Sequence, residues 1–276
     1  MYRILRIIGN NFVSAVSAKG EIVVLQGLGI GFKQKKGFLV HDQTIERIYR
    51  MDNDAEINKL TELISHIPPE HVSFVASLID DIKTSLGTTL SPNIYITLTD
   101  HISFAIERFH TQQMYGNVIL NEIKIFYPKE FGLSLQMVDK INTQFAIHLP
   151  VDEAGFIALH IVNAELSLNM TESVQMTQII HEIMHIIEDF YPNQCTPDSF
   201  TTSRLITHVK YLAQGIFSNT LNSVKKVDSH NFLKNTYPQE SKCVLKIRKR
   251  IEQKYQKTLD DEELLMLAIQ IHKMIC

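Results

Sequence analysis

The chain of 276 residues carries 27 Lys and Arg against 30 Asp and Glu, a net charge of −3 that excludes a uniformly basic nucleic-acid coat and an acidic disordered tail. An apolar share of 45% suffices for buried cores, but no run approaches the roughly 18–20 apolar residues that span a bilayer, and Asn10, Asn11 and Ser14 interrupt the first apolar stretch before it can act as a secretion signal. Three widely spaced cysteines, Cys195, Cys243 and Cys276, suit reduced thiols better than a disulfide framework or a zinc knuckle, so a cytoplasmic protein without membrane insertion is expected.

The charge is unevenly spread: residues 1–37 carry a net of +5 and residues 38–276 a net of −8. In the cationic head, apolar runs at Ile4–Ile8, Phe12–Val16 and Glu21–Leu25 are separated by Gly9-Asn10-Asn11 and Lys19-Gly20, which predicts a small antiparallel meander. The run Gly27-Leu28-Gly29-Ile30-Gly31-Phe32 has the spacing of a dinucleotide loop, but neither a helix nor a βαβ unit follows it, so no cofactor is assigned. Glycines there let the backbone turn and approach a surface closely, with Lys33, Lys35 and Lys36 alongside. A sheet this short buries little on its own, and a twofold homodimer is the expected remedy. Phe32 among glycines and lysines points to RNA, whose exposed bases stack on aromatics while lysines meet phosphates.

From Asp54 the pattern becomes helical, with Ile57, Leu60 and Ile64 on one face. Further amphipathic segments are predicted near 69–86, 97–109, 118–127, 133–146 and 151–165, with breaks at Pro68-Pro69, Ser91-Pro92 and Pro150.

The helical part repeats. The string from Leu149 to Ile161, including Asp152-Glu153-Ala154-Gly155-Phe156-Ile157-Ala158-Leu159-His160, matches Leu259 to Ile271 at an offset of 110 residues. Met137/Ile247, Ile141/Ile251 and Phe145/Tyr255 keep that offset, and Thr99-Asp100-His101-Ile102 matches Ile206-Thr207-His208-Val209 at an offset of 107. The expected organisation is a small antiparallel β domain over 1–58, then two all-α helical-bundle modules, 65–170 and 171–276, made from one duplicated unit.

The strings Ile94-Tyr95-Ile96-Thr97-Leu98-Thr99-Asp100-His101, Asp152 to His160, and Arg204-Leu205-Ile206-Thr207-His208 resemble the BglG/LicT-type transcriptional antiterminators over essentially the whole chain. That resemblance implies a dimeric RNA-binding head that grips a nascent-mRNA hairpin overlapping a terminator. It also implies two regulatory modules phosphorylated on histidine by the sugar phosphotransferase system, through an enzyme II and the phosphocarrier HPr, in control of carbohydrate utilisation. Phosphorylation of the first module then opposes activity and that of the second favours it. The implied RNA contacts are Arg6, Asn11, Gly27 and Phe32, with Asn10, Gly29 and Lys33 beside them. Leu28 stands where the family usually has arginine and Lys33 where it has glutamine, which removes a bidentate contact and alters base preference.

Of twelve histidines, three are singled out as phosphoacceptors: His101 and His208 by their matching places in the repeat, and His160 behind the acidic start Asp152-Glu153. Asp100 is expected to orient His101 or to cap a helix that begins there. The second module's counterpart of His160 is Gln270, which cannot be phosphorylated, and His272 faces elsewhere on the helix.

Two other readings compete. His181-Glu182-Ile183-Met184-His185 matches the metalloprotease pattern, with both imidazoles on one helix face and Glu182 as the base of a zinc-dependent hydrolase; no third ligand is evident, and no metal or catalytic residue is assigned. A phosphorylation-controlled activator that binds DNA would need a helix-turn-helix, and none precedes residue 54.

Overall fold

Three strands, β1 (Tyr2–Ile7), β2 (Phe12–Ser17) and β3 (Ile22–Gln26), follow one another antiparallel, as the apolar runs predict. Two short strands that the sequence pattern does not announce, β4 (Leu39–Val40) and β5 (Arg47–Tyr49), complete a sheet of order β4-β1-β2-β3-β5. The computed structural model describes residues 1–192, 194, 200–218 and 229–275, and the side chains of these except 217–218 and 229–232. Of the three cysteines, Cys243 is buried; Cys195 and Cys276 lie outside the described residues.

The period-two alternation of the strands sends side chains to two cores. Val13, Ala15, Val23 and Leu25 join Ile4, Val40 and loop residue Ile30 on one face. Phe12, Val24 and Tyr49 point the other way and pack on Ile57, Leu60 and Ile64 of α1 (Asp54–His66) and Val72 and Ala76 of α2 (Pro69–Leu86). The short sheet therefore covers one face with the helices that follow it. A polar seam accompanies this packing. Gln26 donates to Ser73 at 2.7 Å, Tyr49 donates to Gln26 at 2.7 Å, Arg47 meets Asp80 at 2.6 Å, and the Tyr49 ring sits edge-on to Tyr95.

The chain divides into two compact units, residues 1–120 with 129–168 and residues 121–128 with 169–276. In the first, α1 starts where the Asn53 side chain accepts from the Glu56 N–H at 3.0 Å, and α2 ends at Gly87 in the left-handed region. They are followed by α3 (Ile94–His110), α4 (Leu120–Phe126), α5 (Pro128–Phe145) and α6 (Val151–Leu166), α4 and the first residue of α5 straddling the division. In the second, α7 (Met170–Phe190) opens on a reciprocal capping box of Asn169 and Glu172, and α8 (Phe200–Ser218), α9 (Ser229–Thr236), α10 (Pro238–Tyr255) and α11 (Asp261–Ile275) follow. The packing pairs recur with the repeat: α2 on α3 and α3 on α6 in the first unit, α7 on α8 and α8 on α11 in the second.

Candidate functional site

The first site is a rim at one end of the sheet, where the β1–β2 turn and the β3–β4 loop are tied together. Asn10 accepts from the Gly31 N–H at 2.9 Å through its carbonyl, and Asn11 accepts from Gly27 at 3.1 Å the same way. The Asn11 side-chain oxygen takes a third bond, from the Gly29 N–H at 2.9 Å. Glycine is required where the backbones touch. A Cβ on Gly31 would lie 2.2 Å from the Gly9 carbonyl oxygen, and one on Gly27 would lie 1.9 Å from that of Thr44. Gly29 and Lys33 both adopt the left-handed conformation, at φ of 68° and 55°, so the loop folds back on itself and turns Phe32 outward.

Of the seven residues expected to contact RNA, the structure joins Asn10, Asn11, Gly27 and Gly29 in this rim, with Phe32 and Lys33 in the same loop. Phe32 is 55% exposed, and the Lys33 ammonium lies 5.2 Å from its ring centroid. Arg6 lies on β1 just past a bulge at Leu5, exposed, on the strand that leads into the rim. Leu28 is 83% exposed at the loop's tip, an apolar side chain in open solvent.

The second site lies between α3 and α6. A matched i, i+3, i+7 stripe on each helix, His101/Phe104/Arg108 and Glu153/Phe156/His160, gives three side chains on one face. Glu153 is fully buried and bridges two of them: its Oε1 accepts from Arg108 Nη2 at 2.7 Å, and its Oε2 lies 3.0 Å from His101 Nε2, out of line for a hydrogen bond. The His101 and His160 rings are 4.8 Å apart, and the Arg108 guanidinium lies between the Phe104 and Tyr115 rings at 4.9 and 5.2 Å. Burial, with a smaller contribution from His101, pushes His160 down to about 3, so that imidazole is neutral and its Nδ1 is buried without a partner.

The structure corrects the expected place of Asp100. Helix α3 begins at Ile94 behind Asn93, so Asp100 lies within the helix and is exposed rather than at a cap. The carboxylate beside His101 is Glu153, delivered from the first turn of α6, where neighbouring Asp152 instead accepts from the Asn117 backbone N–H at 2.7 Å. Arg108 escaped sequence reasoning, although its seven-residue spacing from His101 was a usable signal.

In the second unit His208 lies on α8, half-buried, with Nε2 shielded and unpartnered and its basicity lowered by burial. By the repeat offsets Glu263 is the counterpart of Glu153, whereas the counterpart of Arg108 is Gly215. Burial, then the Asp260 charge, push Glu263 up to about 7. His272, two residues past Gln270, meets Glu240 at 2.8 Å and the Tyr237 ring edge-on.

The His181–His185 motif lines a cleft of about 560 Å³ between α7 and α10. Burial pushes the Glu182 carboxyl up, but hydrogen bonds from Lys254, Arg250 and Tyr255 outweigh it and hold the acid ionised. His181 faces Glu122 at 3.7 Å and His185 faces Asp189 at 3.5 Å. Among the described residues no group of three His, Cys, Asp or Glu side chains is arranged to hold a metal ion, and no helix is long and apolar enough to cross a membrane. A carboxylate clamped by two cations and a phenol is poorly placed to act as a general base.

Comparison with known proteins adds the wider setting. Residues 2–58 match the CAT RNA binding domain, and residues 76–164 and 181–274 each match the PRD domain. The chain is 34% identical over 273 residues to the transcription antiterminator LicT of Bacillus subtilis (strain 168), covering 99% of both chains. It is also 34% identical over 272 residues to the beta-glucoside operon antiterminator of Dickeya chrysanthemi, covering 99% of this chain and 96% of that one. Among solved structures, the crystal structure of GlcT CAT-PRDI aligns with a TM-score of 0.53 at 31% identity, covering 59% of this chain and 98% of that chain.

Proposed function

We propose that this chain, which belongs to the family of transcription antiterminators built from a CAT RNA binding domain and PRD domains, binds an RNA hairpin in nascent mRNA and keeps a terminator from forming. The observation that carries this reading is the rim: Asn10 and Asn11 clamp the glycine loop and leave Phe32, Lys33 and the exposed Arg6 facing solvent, within residues 1–37, whose net charge is +5. Phe32 supplies a stacking face for an unpaired base, Arg6 and Lys33 meet phosphates, and the Asn11 amide nitrogen reaches a base edge. Two copies side by side give a homodimer with a double rim, in keeping with the twofold symmetry of most small assemblies.

The head spans residues 1–58 and the regulatory modules 65–170 and 171–276. Their phosphoacceptors are His101, His160 and His208, served by an enzyme II of the sugar phosphotransferase system and by HPr in the cytoplasm. The protein is a regulator and not an enzyme. Neutral imidazoles are ready nucleophiles towards a phosphoryl donor, and the low basicity of His160 and His208 keeps them neutral. A terminator read-through reporter tests the switch: His101→Asp and His160→Asp lower read-through and His208→Asp supports it, and unchanged read-through in all three contradicts the proposal.

A further inference from the structure

The α3–α6 site holds a buried arginine whose partner is a carboxylate that also lies beside His101. Arg108 is nearly enclosed, its guanidinium within 4.9 and 5.2 Å of the Phe104 and Tyr115 ring centroids, and its Nε is shielded from water with no acceptor. Three more shielded polar atoms without hydrogen-bond partners gather around the same bridge: His101 Nε2, Glu153 Oε2 and His160 Nδ1. Buried polar atoms are nearly always satisfied, so Arg108 Nε and His160 Nδ1, together with a His101–Glu153 contact of 3.0 Å that is out of line, mark a cluster with hydrogen-bonding capacity to offer a further polar group.

We propose that Arg108 is the receiving cation for a phosphoryl group carried on His101, and that the group takes the place of the Glu153 carboxylate. The inference rests on the reading of His101 as a phosphoacceptor. The donor is a protein phosphohistidine. A ring nitrogen of His101 forms the new N–P bond, the donor's N–P bond breaks, and the proton released by the His101 ring passes to the departing imidazole. The resting site is neutral, one guanidinium against one carboxylate. Adding a group of roughly −1.5 to −2 charges leaves two anions competing for one buried cation. The phosphoryl group wins that competition, because its oxygens outnumber those of a carboxylate and accept the guanidinium fork bidentately. Its unused Nε–H then gains an acceptor, and Glu153 leaves the interface at the first turn of α6. The α3–α6 contact is thereby the element that phosphorylation resets. At the position matching Arg108 the second module has Gly215, so its phosphoryl group is held differently.

The test uses the full chain, phosphorylated with phosphoramidate or with phospho-HPr and followed by site-resolved mass spectrometry and phosphorus NMR. Arg108→Gln shortens the lifetime of the phosphoryl group on His101 several-fold and shifts its resonance, Arg108→Lys restores part of both, and the lifetime on His208 stays the same throughout. Arg108→Gln paired with Glu153→Gln removes the stranded buried charge, so the comparison survives if the single variant folds poorly. Equal lifetimes and shifts at His101 in the wild type and both glutamine variants overturn the receiver role while leaving the phosphoacceptor reading intact. Absence of any phosphoryl group on His101 in the wild type overturns both.

Discussion

Arg108 and Glu153 form a hydrogen-bonded ion pair 2.7 Å long that pins α3 to α6, with the carboxylate fully shielded from water. A pair this buried adds little net stability over a well-packed apolar pair, but each half depends on the other. Removing one half strands a charge in a site that cannot solvate it.

Glu153→Ala and Arg108→Ala are therefore each expected to destabilise the first unit by about 3–5 kcal/mol, the usual cost of an orphaned buried charge. Arg108→Met with Glu153→Leu should recover most of that loss. Urea unfolding of the three variants measures it, and strictly additive losses in the double variant contradict the pairing.

Acid should loosen the same site through His160. Its folded value, about 3, lies below its ordinary 6.5, so the neutral form is favoured by the fold. The stability this contributes is complete above the ordinary value and is lost as pH falls from there towards the folded one. Hydrogen exchange of α3 and α6 amides should quicken over that interval, and His160→Gln, the residue found at the matching position 270, should flatten the dependence. A dependence unaltered by the substitution contradicts the assignment.

Glu263 has the opposite sign. Its folded value is raised to about 7, so its contribution is complete below the ordinary carboxylate range and is lost as pH climbs through the folded value. Thermal unfolding of the second unit should weaken on passing from mildly acid to mildly alkaline pH, and less so in Glu263→Gln. Equal slopes contradict this.

Much of the architecture was legible in the sequence. The three long strands follow from short apolar runs between Asn and Gly turns, and the duplicated helices from the offsets of 110 and 107 residues. Strands β4 and β5 were not legible, because two or three residues carry no measurable period and are fixed by pairing with β1 and β3. At the α3–α6 site His101 stood out by its repeat position and His160 by the acidic start before it, but their counter-ion did not. Glu153 reads as one more acid in the first turn of a helix, where dipole and solvent usually account for it. Only the packing of α6 on α3 turns it inward and makes Arg108 its partner. The metalloprotease-like string failed for a related reason: its helix spacing is right, and long-range cations from α10 occupy the glutamate.

That occupation has its own consequence. Glu182→Gln breaks partly exposed ion pairs and should cost no more than ~1 kcal/mol. Calorimetric titration of the wild type with zinc should show no tight stoichiometric site; a tight site lost with Glu182→Gln or His181→Ala contradicts the structural role given to this helix.

The rim responds to a smaller change. In Gly31→Ala the new methyl meets the Gly9 carbonyl, and in Gly27→Ala that of Thr44. The backbones must part, at a cost of about 1–3 kcal/mol for overpacking. Both variants should keep the helical signal in circular dichroism while losing hairpin binding, and full binding by either contradicts the need for close approach.

The most direct test is retention of an antiterminator hairpin by the full, unphosphorylated chain across a salt series. Binding should be tight at low salt, with affinity falling linearly with salt on logarithmic axes, a shallower slope for Arg6→Ala and Lys33→Ala, and a salt-independent loss for Phe32→Ala, because cations meet phosphates and the ring meets a base. Failure to retain the hairpin at low salt, or retention unchanged in all three variants, contradicts this role for the rim.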